Sequence, residues 1–402
     1  MHRKQKRLDR VLLGFTITMS AGAISFLAII VFYVFSNGLP LFSLETIMSD
    51  FHGKHYNASI IEDSPCDCSL HDVTLDDETY YSERFGLGIK NATDRAGNRV
   101  IQVEYIHPNS PLRILEDRNN ETRTIALDVG MTLQRISYED HPTSLTRFGA
   151  EAMVDTLNSD AVIREISFAS LGGGFRGSLI TTLYVIGLTL LIAVPFGIVS
   201  AIYLNEFAPK NTITRFIRSA IETLTGVPSI IYGLIGLSLF VPITVRLQLS
   251  SGANLYAAAL TLAIILLPVI IRTTEESLKA IPKEVRDASF ALGADQSQTV
   301  WYLIVPNALA GILTAVFLSI GRIIGESAAL IFILGTAIKD SVHLSERSPT
   351  LAVHIWSLMS NEPANIELAS TIALVILMVV LLLNLFVKWL HHRLHKRIGG
   401  SL

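Results

Sequence analysis

The sequence predicts an all-α polytopic membrane protein with about six transmembrane helices, interrupted by an α+β insertion on the extracytoplasmic side. Three observations lead there. Half of the 402 residues are hydrophobic and only 17% are charged, with a mean hydropathy of +0.46, an apolar excess that a water-soluble domain of this length would struggle to bury. Apolar runs recur at 11–35, 179–204, 227–245, 255–271, 311–334 and 368–390, each near the roughly 20 residues a helix needs to cross about 30 Å of hydrocarbon. Between the first two runs, residues 45–165 hold 22 acidic and 11 basic side chains, a balance of −11 against −3 for the whole chain.

The elements follow in order. Residues 1–36 combine a basic start (Arg3, Lys4, Lys6, Arg7, Arg10) with the first span. Its apolar run is too long for a signal peptide and no small-residue cleavage site follows Phe35, so it reads as a signal anchor. Residues 37–79 are polar, include Asp76-Asp77-Glu78 and hold no sustained periodicity, which predicts an extracytoplasmic linker. The two cysteines, Cys66 and Cys68, are spaced too tightly for a relaxed disulfide and read as two thiols in that linker rather than a redox or metal site.

Residues 80–169 change character. Phe85-Gly86-Leu87-Gly88-Ile89 precedes the alternating run 100–106, a turn at His107-Pro108-Asn109-Ser110-Pro111, the stretch 127–136 and a helix-like 150–157, an α+β order of pieces. Gly172-Gly173-Gly174 is expected to be the hinge into the core, 170–402, with its five remaining spans. Pro228 and Gly233 interrupt the third span, as membrane helices tolerate when neighbours satisfy the backbone. Lys388, Arg393, Lys396 and Arg397 in the tail, with the short loops carrying Lys210, Arg215 and Arg218, and Lys279, Lys283 and Arg286, place both termini in the cytoplasm and residues 37–177 outside. His391, His392 and His395 sit among basic residues without an acidic or cysteine partner and read as a flank, not a metal site.

Several chemistries have no signal. The chain lacks a Gly-x-x-x-x-Gly-Lys-Ser/Thr loop, His-Glu-x-x-His and Gly-x-Ser-x-Gly, so no nucleotide, metal or other cofactor and no hydrolase activity is expected of it.

The pieces of 80–169 resemble a PDZ domain. In that family a loop of the Gly-Leu-Gly-Ile type offers backbone N–H groups to a peptide carboxylate, and the adjoining strand and helix take the peptide as an added strand. The resemblance assigns the carboxylate loop to Phe85, Gly86, Leu87, Gly88 and Ile89. Met131 stands where the family usually has Asp, and the connection 118–124 is longer. A grip on a partner's C-terminal peptide and a plain spacer are both open.

Between the fourth and fifth runs, Glu284 precedes Asp287-Ala288-Ser289-Phe290-Ala291-Leu292-Gly293, and nine residues separate that segment from Leu303-Ile304-Val305-Pro306. Val285, Ala288, Ser289 and Leu292 recur at helical spacing, and Gly293 suits a chain reversal. The segment 275–306 resembles the cytoplasmic EAA loop of ABC importer permeases, in which a short helix docks on an ATPase subunit. That resemblance assigns coupling to Glu284, Asp287, Ala288, Ser289, Gly293 and Pro306.

Three further segments, Gly226-Val227-Pro228-Ser229-Ile230-Ile231-Tyr232-Gly233, residues 267–276 and Gly321-Arg322-Ile323-Ile324-Gly325-Glu326-Ser327, are similar to the PstA-type phosphate permeases over roughly 177–390. The insertion and Ser327, where Thr is commoner, depart from that pattern. Arg322 and Glu326 lie in an apolar span, four residues apart and therefore on one helix face, and charges at membrane depth mark pathways or partners. In one reading Arg322, with Arg272, offers guanidinium donors to phosphate while Glu326 holds Arg322 and accepts a phosphate hydroxyl that sulfate lacks. In the other, Arg322 and Glu326 are a self-contained packing pair and Arg272 marks the interface. The resemblance implies a PstC-like second permease, two PstB-like subunits that use ATP and an extracytoplasmic PstS-like phosphate-binding protein. Transport of another anion or solute, and a membrane sensor or scaffold built on the PDZ-like part, are the alternatives.

Overall fold

The computed structural model describes residues 2–53, 55–60, 66, 68, 76, 78–93, 99–118, 124–159, 161–170, 172–360 and 364–398. Asp77, residues 119–123 and the side chains of Arg3, Lys4, Lys6, Arg7, Arg10, His391, His392, His395, Lys396 and Arg397 lie outside them. Two compact units are present, one of Met1–Phe42 with Gly177–Leu402, the other of Ser43–Arg176.

Helix α1 (His2–Gly38) opens the first unit. The second follows with α2 (Leu44–Met48), β1 (His55–Ile60), β2 (Thr79–Ser82), β3 (Leu87–Thr93), β4 (Arg99–Ile106), β5 (Leu115–Asp117), β6 (Thr124–Ile125), β7 (Thr132–Tyr138), β8 (Ser144–Leu145), α3 (Gly149–Asn158) and β9 (Ile163–Ala169). The strands form one antiparallel sheet in the order β2-β3-β4-β7-β9-β1-β5-β6, with β8 on β7. Alternation decides the faces: Ile101 and Val103 of β4 are fully buried, whereas Glu104 turns outward to Lys90 of β3 at 2.7 Å. Helix α3 lays Ala150, Met153, Val154 and Leu157 on the core, the i, i+3, i+4, i+7 stripe of an amphipathic helix.

This α+β unit is larger than the expected 80–169. Residues 37–79 do not form a simple tether, because β1 pairs with both β9 and β5 inside the sheet. Its short His-Tyr-Asn-Ala-Ser-Ile run is held by ladder bonds and by the stacking of Tyr56 on Phe168 rather than by an apolar pattern. Cys66 and Cys68 are also corrected: they are joined as a disulfide, with Cα atoms 5.2 Å apart, inside the span a bridge can cover. The three glycines at 172–174 serve close backbone approach within this unit. Gly173 N–H donates to Phe51 O at 2.7 Å, and a Cβ on Gly172 would sit 2.6 Å from the same oxygen.

The first unit resumes with α4 (Arg176–Ile202), α5 (Thr212–Thr225), α6 (Ser229–Ile235), α7 (Val241–Arg246), α8 (Leu255–Lys279), α9 (Lys283–Ala291), α10 (Gln296–Thr299), α11 (Val305–Gly325), α12 (Ala328–Leu334), α13 (Leu351–Ser360) and α14 (Ile366–Ile398). Among the described residues, six helical stretches are long and apolar enough to cross a membrane: Leu12–Gly38, Arg176–Phe207, Ser229–Arg246, Leu255–Lys279, Gln296–Gly325 and Ile366–Leu390. Small residues set the packing. Gly311 of α11 leaves no room for a side chain against Ser277 of α8, and Gly38 of α1 abuts the Ser370 carbonyl of α14. Some buried hydroxyls of this unit are satisfied within it: Thr182 Oγ1 donates to Ser178 O at 2.7 Å, and the Ser178 hydroxyl lies 2.8 Å from Nδ1 of buried His354 on α13.

Among the described residues, three stretches contain a wide π-type turn, at Tyr203–Phe207, Gly236–Phe240 and Val300–Ile304. Each is followed two residues later by a proline: Pro209, Pro242 and Pro306. A proline ring crowds the carbonyl four residues before it and lacks an N–H. In all three cases that carbonyl falls within the wide turn, where the i to i+5 spacing opens the room.

The fifth span differs from expectation. It runs Gln296–Gly325 rather than 311–334, because the helix stops where Glu326 turns extended (φ −77°, ψ 117°) and restarts at Ala328. Hydropathy reads composition and is blind to a break inside an apolar run.

Candidate functional site

The loop after α8 builds from its own ends. Pro282 precedes α9, and α9 closes with Ala294 N–H on Ser289 O at 3.2 Å and Gly293 N–H on Phe290 O at 2.9 Å, with Gly293 at φ +88°. This is the six-to-one, five-to-two pattern of a glycine-terminated helix. A capping box of Asp295 with Gln298 then opens α10. Helix α9 buries none of its residues, and Leu292 is 90% exposed. Glu284, Val285, Ala288, Ser289 and Leu292 line one side of a hollow of about 890 Å³ whose other side includes Tyr302 and Leu303. The Ser289 and Thr299 hydroxyls lie 2.9 Å apart, joining α9 to α10. Asp287 opens instead on a second, basic hollow, while Pro306 begins α11. The helical face expected of this loop is therefore present and uncovered, and an uncovered small-residue helix face suits a partner.

The Gly226–Gly233 and Gly321–Ser327 segments meet. Pro228 caps α6, the Tyr232 hydroxyl donates to Leu224 O at 2.9 Å, and Gly233 lies against Ala329, where a Cβ would be 2.7 Å from the backbone. Arg322, exposed at the end of α11, is within electrostatic reach of Tyr232.

Arg322 and Glu326 do not share a helix face, since Glu326 is the extended residue after α11. No ion pair joins them among the described residues. The Glu326 carboxylate instead accepts from Ala329 N–H at 3.3 Å and caps the restarted helix. The packing-pair reading of Arg322 and the idea that Glu326 holds it both fall. An apolar span of uniform composition hid the break from a count of i, i+4.

Arg272 is placed elsewhere. Its Nε is 3.3 Å from Glu276, one turn along α8, with both side chains about two-thirds exposed (63% and 64%). It lines a small cavity of about 190 Å³ with Arg218, Glu222 and Glu275, and Arg322 is not among that lining. Three further pairs lie outside the expected site. Buried Glu275 takes both Arg218 and, at 2.9 Å, Lys279. Arg286 of α9 binds Glu206 at 3.0 Å and the carbonyls of Ile281 and Leu278. These tie α5 and the wide turn after α4 to the α8–α9 corner. The alternation of Arg215 and Arg218 with Ile213, Phe216 and Ile217 marks a two-faced helix at α5, the one signal in the sequence for Arg218.

The predicted carboxylate loop is not an open cradle. Phe85, Gly86, Leu87, Gly88 and Ile89 are all buried. Phe85 O accepts from Ser110 Oγ at 2.6 Å, Gly86 O accepts from His107 N–H at 2.8 Å, and a side chain on Gly86 would strike His107 and Cys68. Strand β2 pairs with Leu87–Lys90 on one edge of β3 and β4 takes the other, while Asn91 Oδ1 caps α3 at Ala150 N–H, 2.9 Å away. The edge expected to receive a peptide is filled by the chain's own strand.

An apolar unit of six candidate spans with an uncovered loop helix fits a membrane permease. The chain belongs to the family of binding-protein-dependent transport system inner membrane components, which matches residues 193–400, and it is a permease subunit of an ABC importer. It is 35% identical over 265 residues to the probable ABC transporter permease protein YqgI of Bacillus subtilis, covering 62% of this chain and 88% of that one. It is 33% identical over 220 residues to the phosphate transport system permease protein PstA of Haemophilus influenzae, covering 54% of this chain and 75% of that one. Among solved structures it is similar to the MetNI methionine ABC transporter in inward-facing conformations, at 22% identity and a TM-score of 0.42, over 54% of this chain and 93% of that one.

Proposed function

We propose that this permease conducts inorganic phosphate, with Arg322 as a phosphate-contacting residue of the pathway. The observation that carries the reading is an exposed guanidinium at the end of α11, beside the break in the span, with no carboxylate partner within ion-pair distance among the described residues. An unpaired arginine in an apolar span is costly unless an anion or water meets it, and its planar fork suits phosphate oxygens. The PstA name of the Haemophilus influenzae relative supports the same substrate.

In this reading a PstC-like permease completes the pore, two PstB-like subunits hydrolyse ATP, and a PstS-like protein delivers phosphate from outside. The chain itself binds no cofactor. Both termini and the α9 loop face the cytoplasm, the exposed Ala288–Ser289 face docks on an ATPase subunit, and the unit Ser43–Arg176 stands outside. Arg272, neutralised by Glu276, has a weaker claim on the pathway than Arg322.

Uptake of labelled phosphate in cells lacking the chain tests this. The intact protein is expected to restore uptake that excess sulfate leaves unchanged, Arg322→Ala to abolish it, and Arg322→Lys to restore it in part. Unchanged uptake by an inserted Arg322→Ala protein would remove Arg322 from the pathway, and no uptake by the intact, assembled complex would move the substrate to another solute.

A further inference from the structure

A basic hollow of about 740 Å³ lies where the wide turn after α4, the start of α5, the end of α8 and α9 converge. Six cations line it: Lys210, Arg215, Arg218, Lys279, Lys283 and Arg286. Three are ion-paired, Arg218 and Lys279 sharing the single carboxylate of Glu275 and Arg286 meeting Glu206. The other three, Lys210, Arg215 and Lys283, have no carboxylate within ion-pair distance among the described residues, and the remaining acidic group of the lining is Asp287. The start of the 14-residue helix α5 also lines the hollow through Asn211 and Thr214; Asn211 Oδ1 accepts from Thr214 N–H at 2.9 Å, so the helix adds only the positive end of its dipole. The two membrane stretches Arg176–Phe207 and Leu255–Lys279 both end at this hollow, which puts it on the membrane-facing side where a span leaves the lipid. On α5, Ile213 (69% exposed) and Phe216 (73% exposed) offer apolar surface beside it.

We propose that this hollow binds a phosphate-group anion, the chemistry shared by an anionic phospholipid headgroup and inorganic phosphate. Scattered basic residues near span ends satisfy the usual cytoplasmic charge bias without any enclosure. Here the unpaired cations face one concave volume, with the paired arginines fixed around it by carbonyls of Leu204, Ile281 and Leu278. Neither Arg322 nor Arg272 belongs to it, so the site stands or falls independently of the transport pathway.

The test uses the full chain in nanodiscs. One arm compares phosphatidylcholine discs with and without phosphatidylglycerol and reads retained lipid by native mass spectrometry. The other titrates inorganic phosphate into phosphatidylcholine discs and reads heat. Each surface cation contributes roughly fivefold to such binding, so Lys210→Gln/Arg215→Gln/Lys283→Gln together should weaken it roughly a hundredfold. A charge-matched control, Arg246→Gln/Arg347→Gln/Lys388→Gln, should leave it unchanged. If the triple variant fails to insert, the three single variants carry the test at about fivefold each. Selective loss in the first arm assigns a lipid headgroup, and selective loss in the second assigns free phosphate. Binding of neither probe, or equal loss in the control, overturns the site.

Discussion

Replacing Gly293 with alanine isolates the backbone demand of the α9 loop. An ideal Cβ at Gly293 meets nothing within 4 Å, so crowding plays no part and the whole effect is conformational. At φ +88° a residue with a Cβ loses roughly 1–2 kcal/mol against its preferred backbone, which corresponds to about a 5- to 30-fold shift away from the closed turn. Because α9 buries no side chain, little tertiary energy opposes that shift. The bonds at stake are Gly293 N–H to Phe290 O and Ala294 N–H to Ser289 O. Hydrogen–deuterium exchange on the full chain should therefore show protection of these two amides falling by that factor, with thermal unfolding of the spans unchanged. Asparagine, which enters the left-handed region more readily, should lose less and valine more. Equal protection in wild type and Gly293→Ala, or asparagine as damaging as valine, would refute the reasoning.

Other expectations follow from the packing and charge already described. Glu275→Ala strands Arg218 and Lys279 and should cost roughly 2 kcal/mol, below the value for a fully buried pair because both cations are partly solvated. Glu275→Gln should cost less, and a thermal midpoint equal to wild type for both would exclude the network as a support. Gly233→Ala drives a Cβ into the Ala329 backbone and should destabilise by about 1–3 kcal/mol. Gly187→Ala in open space should not destabilise, so equal effects of the two would show that α6 and α12 do not press together. In the inserted unit, burial raises the Tyr138 hydroxyl above the ordinary 10.0, with the Ser144 hydrogen bond opposing, and burial with Tyr105 and Glu83 raises Tyr81. The folded state thus prefers the neutral phenols. Their contribution is complete below pH 10 and lost as pH climbs through the raised values, so absorbance titration should show a late phenolate phase that shrinks in Tyr138→Phe. A single phase at the ordinary value would contradict the burial.

Six spans were legible in composition alone because lipid solvation leaves a coarse signal, an apolar run of fixed length. The α9 loop was legible for a different reason. Gly293 and Pro306 are residues whose backbone limits dictate local geometry wherever they occur. What escaped notice was long-range or polar. Arg218 and Glu275 are 57 residues apart, and nothing in either neighbourhood announces the other. The strand β1 lies in a polar stretch whose partners, β9 and β5, come later in the chain. Phe85–Ile89 carried a motif whose meaning depends on an open edge, and the preceding residues, Thr79–Ser82, close it. Arg322 and Glu326 failed for the same reason in helical form, since an i, i+4 inference holds only while the helix continues.

The three proline-paired wide turns give the spans a property that straight helices lack. A wide turn is one surplus residue, and it can pass along a helix by exchanging a single hydrogen bond at a time. Each such step turns only the residue the wide turn passes, by one residue's worth of rotation, about 100°. Two of these turns flank one cluster, where Ile202, Leu278, Val300 and Ile304 pack together. At the ends of the second and fifth spans such a step would re-aim single side chains around Leu278 while the rest of each helix keeps its place.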